Sequence, residues 1–296
     1  MKQKDKMISV EEALDRILPN FHRLEPEEVD ILDGLDRVLA EDVYADIDIP
    51  PFANSAMDGY AVRSADLRCA SKENPVALRG VGNLPAGYTS ETKVGPGTAV
   101  RIMTGAPLPE GSDAVVRFED TSEGLGDDKW RRERSESFIR IFVAPGPHAN
   151  VRPVGEDVRR GELLLATGTV LRPAEIGVLA SLGRPRVHVI RRPRVAILAT
   201  GDELLPIDQP LAPGKIRNSN EYSNAALVLR YGGVPIRLGI ARDNVQDLTT
   251  KIREGLARKV DLFLTSAGVS VGDYDVVKLV LDREGEMHFW QVRMKP

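Results

Sequence analysis

Residues 194–205 read RVAILATGDELL. The first seven form an almost unbroken aliphatic run, the pattern of a strand covered on both faces. It breaks abruptly into Gly201-Asp202-Glu203. The same grammar recurs downstream. Ser219 or Asn220 can cap a helix that ends at Gly232-Gly233, and residues 234–241 read as a second strand. Val245, Leu248, Ile252 and Leu256 then fall on one helical face. Residues 261–266 (DLFLTS) read as a third strand, 275–283 as a helix and 287–294 as a fourth strand. Strand–helix alternation implies a parallel sheet with right-handed crossovers, so this part is expected to be an open α/β domain.

Upstream the character differs. Ser9 with Glu12 is a capping-box pattern before apolar residues at helical spacing over 10–18, and a second helix is expected over 32–43. Pro50-Pro51 ends regular structure. From 52 to 146, glycine and proline recur every few residues between short apolar runs at 99–103, 114–118 and 138–143. That pattern predicts a small β domain with tight turns. Residues 121–137 are highly charged and read as a solvated hairpin tip. Residues 147–175 return the chain to a short helix over 174–182, closed by Gly183.

Composition narrows the function. Of 296 residues, 44 are acidic and 40 basic, a net charge of −4, whereas a duplex-binding protein more often carries a basic excess. The single cysteine, Cys69, excludes an intrachain disulfide and any multi-thiolate metal site. Residues 1–10 are polar and lysine-rich with no apolar stretch of signal-peptide length behind them, and nothing approaches the ~20 apolar residues of a membrane span. The expectation is a soluble cytoplasmic protein that binds neither nucleic acid nor membrane.

Ligands of an open parallel sheet bind beyond the carboxyl ends of its strands. The four exits are Thr200-Gly201-Asp202-Glu203, Arg242-Asp243, the stretch 266–275 (SAGVSVGDYD) and Lys295-Pro296. Loops are polar anyway, and that accounts for any one exit; four polar exits on one edge point to a site. Clustered carboxylates without His or Cys suit a hard cation such as Mg²⁺. The Ser/Gly-rich loop opening onto a helix suits an anion, and Lys295 adds a positive charge. These parts describe a site for a phosphorylated ligand with Mg²⁺. There is no GxxxxGK[ST] and no GxGxxG, and the four histidines (His22, His148, His188, His288) are scattered. In the front half, Asp58 before Gly59 reads as a turn acid, Thr104-Gly105 as a turn and 152–157 (RPVGED) as a surface ion-pair loop. Their chemistry alone does not single them out.

Taken together, PPFANSAMDGYAV (50–62), VRIMTGAPLPEGSDAVV (100–116), VRPVGEDVRRGELLLATGTVL (151–171), RVAILATGDELL (194–205), LGIARD (238–243), TSAGVSVGDYDVVK (265–278) and FWQVRMKP (289–296) resemble the molybdopterin molybdenumtransferases, whose relatives include domains of plant molybdenum-cofactor proteins and of gephyrin. The blocks occur in order over nearly the whole chain. The resemblance implies a multi-domain fold, α/β plus β. A helical linker and dimerisation domain would take 1–50 and 147–175, an inserted small β domain 51–146, and a molybdopterin-binding α/β domain 176–296. It implies an enzyme that inserts molybdate into adenylylated molybdopterin with Mg²⁺, releases AMP, works as a homodimer across subunits and meets the molybdopterin adenylyltransferase as a partner. By motif match, Asp58, Thr104, Asp157, Asp243 and Lys295 would be catalytic. Arg152, Ser266, Gly268 and Ser270 would bind substrate, and Glu203, Asp243 and Asp275 would hold Mg²⁺.

Other readings of the same resemblance are a molybdopterin-binding scaffold dimer without turnover and a molybdopterin adenylyltransferase. Asp58 and the 152–157 block belong to the insertion family and speak against the latter. Three departures matter. Ala267 replaces a glycine of the family's Ser-Gly-Gly, costing about 1 kcal/mol wherever positive φ is needed. Gln291 stands in place of a lysine. The family pattern also continues past the point matched by Pro296, through a Gly-Lys-Pro step and a PGNP loop to a C-terminal β domain, so little turnover is expected of residues 1–296 alone.

Overall fold

The computed structural model describes residues 7–124 and 138–266, together with residues 277, 280, 283 and 292–294. The chain forms two compact units, one of Met1–Asp42 with Ala166–Pro296, the other of Val43–Leu165.

The first unit opens with α1 (Val10–Ile17), whose N-cap Ser9 accepts the Glu12 N–H at 3.1 Å. β1 (Pro26–Asp30) follows. The helix expected over 32–43 is not formed. A single 3-10 turn, Ile31–Gly34, gives way at Asp36 (φ 60°) to extended chain, and Leu39 bridges Val189. The apolar spacing there serves strand-like pairing rather than a helix face, so this region is far less helical than the resemblance implied. Buried Arg37 ties the segment down through Glu27 and the Ile190 carbonyl.

The second unit is β-rich, as its glycine and proline punctuation predicts. It comprises β2 (Val43–Tyr44), β3 (Asn54–Ser55), β4 (Gly59–Val62), β5 (Val76–Leu84), β6 (Thr98–Ile102), β7 (Ala114–Arg117), β8 (Phe138–Ile141), β9 (Val151–Arg152) and β10 (Leu163–Leu165). Five of these make one sheet in the order β7-β4-β6-β5-β8, antiparallel except for β5 beside β6. Around β4 the sheet is buried on both faces. Tyr60, Val62, Ala114 and Val116 enter one apolar cluster while Ala61, Val100, Ile102 and Val115 enter another. Burial that tight leaves Gly59 no room for a side chain: a Cβ there would lie 1.9 Å from the Val116 carbonyl oxygen.

Returning to the first unit, α2 (Pro173–Ser181) starts at a capping box in which the Glu175 carboxylate accepts the Arg172 N–H at 2.9 Å. β11 (Arg186–Ile190) pairs antiparallel with β1. The α/β part then follows the sequence reading closely: β12 (Arg194–Thr200), a short parallel pair β13 (Leu204–Leu205) and β14 (Ile216–Arg217), α3 (Ser219–Arg230), β15 (Val234–Ala241), α4 (Val245–Ala257) and β16 (Leu262–Ser266). β12 is central, with β15 and β16 parallel on either side. Alternate residues of β12 enter different cores. Ala196 and Leu198 pack with Leu248 and Ile252 of α4 and with Val277 and Val280, whereas Val195 and Ile197 pack with Ala225 of α3. α3 and α4 therefore cover opposite faces, as right-handed crossovers in opposite directions require. Of the four apolar positions expected on one face of α4, Leu248 and Ile252 are buried, whereas Val245 and Leu256 are exposed. β15 carries a bulge: Ile197 faces Arg237 but Leu198 faces Gly239, whose φ is 78°. Among the described residues no helix is long and apolar enough to cross a membrane.

Candidate active site

In the first unit, the exits of β12 and β15 are tied together. The Gly201 N–H donates to the Ala241 carbonyl, and the Asp202 N–H donates to Asp243 Oδ2, both at 3.2 Å. Gly201, at φ 145°, lets the following turn fold the Glu203 carboxylate back over its own Cα: a Cβ there would sit 2.4 Å from Glu203 Oε2. Beside this knot lies a cleft of about 860 Å³, lined among others by Asp202, Lys215, Asn218, Glu221, Arg242 and Asp243. Lys215 holds the β13–β14 excursion against the site by donating to the Asp202 carbonyl. Asn218 caps α3. Its side chain accepts the Glu221 N–H and returns a bond to the Glu221 carboxylate at 2.7 Å, and both residues are buried. The helix cap expected at Ser219 or Asn220 is thus one or two residues earlier, at Asn218. On the β15 side Asn244 caps α4 through the Asp247 N–H, and the Asp247 carboxylate accepts the Arg242 N–H at 2.8 Å, fixing the backbone that presents Asp243.

In the second unit, β3 organises a different cluster. Asn54 is paired with Arg152 of β9 on one side and bridges Pro107 on the other, while Ser55 exchanges backbone bonds with Gly105 and Ala106. Thr104 and Arg152 thereby arrive on either side of one short strand. The Asp58 carboxylate accepts both the backbone N–H and the hydroxyl of Thr104. Those two donors, helped by the Arg101 charge, outweigh partial desolvation and hold the Asp58 carboxyl below its usual range. Arg152 is held by Glu156 at Nε and Asp157 at Nη2, each at 2.6 Å, which raises its own pKa.

Residues 8–183 match the family described as MoeA N-terminal region (domain I and II), and residues 196–296 match the probable molybdopterin binding domain. The molybdopterin molybdenumtransferase of Bacillus subtilis is 40% identical over 297 residues, covering 100% of this chain and 67% of its own length. That of a Nostoc species is 44% identical over 91% of this chain and 59% of its own length. The chain thus spans about three fifths to two thirds of these relatives. The crystal structure of the molybdopterin biosynthesis MoeA protein from Pyrococcus horikoshii superposes with a TM-score of 0.82 at 34% identity, over 98% of this chain and 70% of that one. The chain belongs to the molybdopterin molybdenumtransferase family.

Within this family of transferases, the site residues expected from sequence fall into three groups here. Asp58 and Thr104 are in direct contact, as are Arg152 and Asp157. Glu203 and Asp243 rise from the coupled exits of β12 and β15, and Ser266 ends β16. Gly268, Ser270, Asp275 and Lys295 lie outside the described residues, as does most of the expected fourth strand; of that strand, Val292 forms a parallel bridge with Ile8. Among the described residues no group of three His, Cys, Asp or Glu is placed to hold a metal. The carboxylates of Glu203 and Asp243 nevertheless have the hard-oxygen chemistry Mg²⁺ prefers. Asp243 commits only Oδ2 to a hydrogen bond, and Glu203 commits neither oxygen among the described residues. Sequence reasoning named Asp202 only as part of a strand exit and missed Lys215, Asn218 and Glu221. The signal was present as Asn218 with an acid three residues on, a capping-box spacing inside the polar stretch KIRNSN (215–220).

Proposed function

We propose that the protein to which this chain belongs inserts molybdate into adenylylated molybdopterin in a Mg²⁺-dependent step that releases AMP. The observation that carries this reading is the coupling of Gly201–Glu203 to Ala241–Asp243 at the carboxyl edge of the sheet, where a ligand of an open α/β fold binds. Glu203 and Asp243, with Asp275, would hold Mg²⁺, which when bound supplies Lewis-acid polarisation of the phosphoanhydride oxygens. The chain's own groups bind and orient. Lys215 fixes the loop that walls the cleft, and the Asn218–Glu221 pair stiffens its floor. Asp58, kept ionised by Thr104, is an acceptor for substrate N–H or O–H groups. Arg152, oriented by Glu156 and Asp157, presents a fixed cation. The match of residues 8–183 to the MoeA N-terminal region favours insertion over adenylyl transfer onto molybdopterin, and an adenylyltransferase is the class of partner that supplies the substrate.

A homodimer accompanies this reading. Val10, Leu14, Ile17, Leu18 and Phe21 are all exposed, a continuous apolar surface on and after α1, and Leu32 is 76% exposed. A patch of that kind is characteristic of an interface. The test of the function is AMP release from adenylylated molybdopterin by the full-length protein with molybdate and Mg²⁺. Molybdate-dependent release is expected, and Asp275→Asn should abolish it; equal release by parent and variant would overturn the metal assignment.

A further inference from the structure

Among the described residues, the buried serines and threonines have hydrogen-bond partners, with one exception. Ser55, Ser64 and Thr121 each donate to an oxygen acceptor, and Ser122 accepts the Arg140 N–H. Buried Arg37 leaves Nε unbonded, but its Nη2 is engaged twice. Thr200 differs: it is 2% exposed, and its hydroxyl, the only polar group of the side chain, has no partner. Burying a hydroxyl unmet destabilises the fold, and a valine of the same shape would fill the space without that penalty. From Val195 to Ala199 the strand is apolar throughout. An unmatched polar group at the end of such a run calls for a reason. Thr200 is the last residue of the central strand, at the carboxyl edge where the two exits are knotted.

Two residues further on, the Asp202 N–H donates to Asp243 Oδ2 at 3.2 Å, the long end of the range for such a bond. Asp243 is one of the acids assigned to Mg²⁺ in the function proposed above. A carboxylate that turns toward a cation abandons that N–H, which then needs another acceptor. A threonine hydroxyl can accept the backbone N–H two residues ahead, closing a local turn. Thr200 and Asp202 have that spacing, and the residue between them is glycine. Gly201, at φ 145°, has no side chain to hinder rotation of the peptides it joins. Its own N–H is tied to the Ala241 carbonyl, which anchors the near side of the pivot.

We infer that Thr200 is a positioning residue, its hydroxyl taking over the Asp202 N–H when the Asp243 carboxylate turns to a bound divalent cation. The cation is that of the proposed function, and on that reading the exchange rests. In the empty protein the hydroxyl is unmet; in the loaded one it replaces the acceptor that Asp243 withdraws. The exit of β12 thus stays fixed while Asp243 is released. Thr200 touches neither cation nor substrate and acts through the turn that carries Asp202 and Glu203.

The experiment combines thermal melts of the metal-free chain with Mn²⁺ titrations followed by electron paramagnetic resonance. Thr200→Val should raise the melting temperature of the metal-free chain by about 2–4 °C. The same variant should bind Mn²⁺ about tenfold more weakly, the scale on which groups behind metal ligands act. Thr200→Ser keeps the hydroxyl and should bind Mn²⁺ as the parent does. A purely structural threonine would move the melting temperature and leave the Mn²⁺ affinity alone. In an Asp243→Asn background no acceptor is exchanged, so Thr200→Val should change the remaining Mn²⁺ affinity by less than about twofold. A lower melting temperature for Thr200→Val would reveal a hydroxyl already bonded and overturn the assignment. Parent-like Mn²⁺ affinity in Thr200→Val would overturn it too, as would a loss in Thr200→Ser or an undiminished loss in the Asp243→Asn background. A parent chain that binds no Mn²⁺ would have the same force. If the Mn²⁺ pattern holds while the full-length protein shows no molybdate-dependent AMP release, the functional reading alone falls.

Discussion

Asp58 and Thr104 meet at a single carboxylate oxygen: Oδ1 accepts the threonine backbone N–H and its hydroxyl, each at 2.7 Å. Both donors favour the ionised acid, so the folded pKa lies below the unfolded value of about 3.9. The stabilisation is therefore fully present above that unfolded value and is lost only as pH falls through the lower folded one. Between pH 5 and 8 the charge on Asp58 should not change, which carboxyl NMR titration checks. Asp58→Asn should reduce AMP release by the full-length protein about 100-fold or more with little change in melting temperature. Thr104→Val keeps the N–H donor and should lose only about tenfold.

Gly59 tests the packing beneath that acid. Alanine would place a Cβ 1.9 Å from the Val116 carbonyl, backbone against backbone between paired strands. Gly59→Ala should destabilise the second unit by at least about 2–3 kcal/mol in urea unfolding. Gly87→Ala meets nothing within 4 Å but must hold φ 86°, and should cost only about 1 kcal/mol. Equal losses at the two sites would contradict the register of β4 against β7.

Glu175 gives a stability signal in acid. The Arg172 side chain, followed by backbone N–H groups, holds its carboxyl down to about 2. A depressed acid stabilises the fold above its unfolded pKa and loses that contribution as pH falls through the folded one. Glu175→Gln should therefore melt lower than the parent above pH 5, and the two curves should converge as pH approaches 2.

Leu14, 52% exposed on α1, lies at the centre of the apolar surface assigned to the homodimer. Leu14→Glu should leave the melting of the isolated fold nearly unchanged while shifting the mass measured by light scattering from dimer to monomer. A parent that is monomeric at micromolar concentration would remove the assignment.

Gly201→Ala should act on the metal rather than the fold. The added Cβ must displace the Glu203 carboxylate, 2.4 Å away. We expect apparent Mg²⁺ affinity in the AMP-release assay to weaken about tenfold or more, with Mn²⁺ affected in parallel.

The α/β part was the most legible in the sequence. A central strand such as Arg194–Thr200, buried from Val195 onward, must be apolar along that stretch, and an apolar run has few other meanings before a glycine. β6, β7 and β8 were legible for the same reason, whereas Asn54–Ser55 and Gly59–Val62 were hidden. Their polar and glycine residues serve close backbone approach and site geometry, which leave no periodic trace. The false helix over 32–43 arose because Leu32, Leu35 and Leu39 have helical spacing, but the pairing of Leu39 with Val189 prevailed over local propensity. At the candidate site, the acids were legible as strand exits or as family motif, while Lys215, Asn218 and Glu221 were not. Their roles depend on how an 18-residue excursion, residues 201–218, folds back, and that is a tertiary fact.

Side chains along a strand alternate between faces, yet Ile236, Leu238 and Ala241 of β15 all pack on the same side. The parity changes at Gly239, where one surplus residue is absorbed. Everything beyond that point is inverted relative to an unbroken strand, including the chain that leads into Arg242 and Asp243. Removing the surplus residue would swap inside for outside from there on, aiming Asp243 away from Asp202. A single-residue insertion thus acts as a directional gate for a carboxylate several positions downstream, and a deletion there should blind the cleft while sparing every residue that lines it.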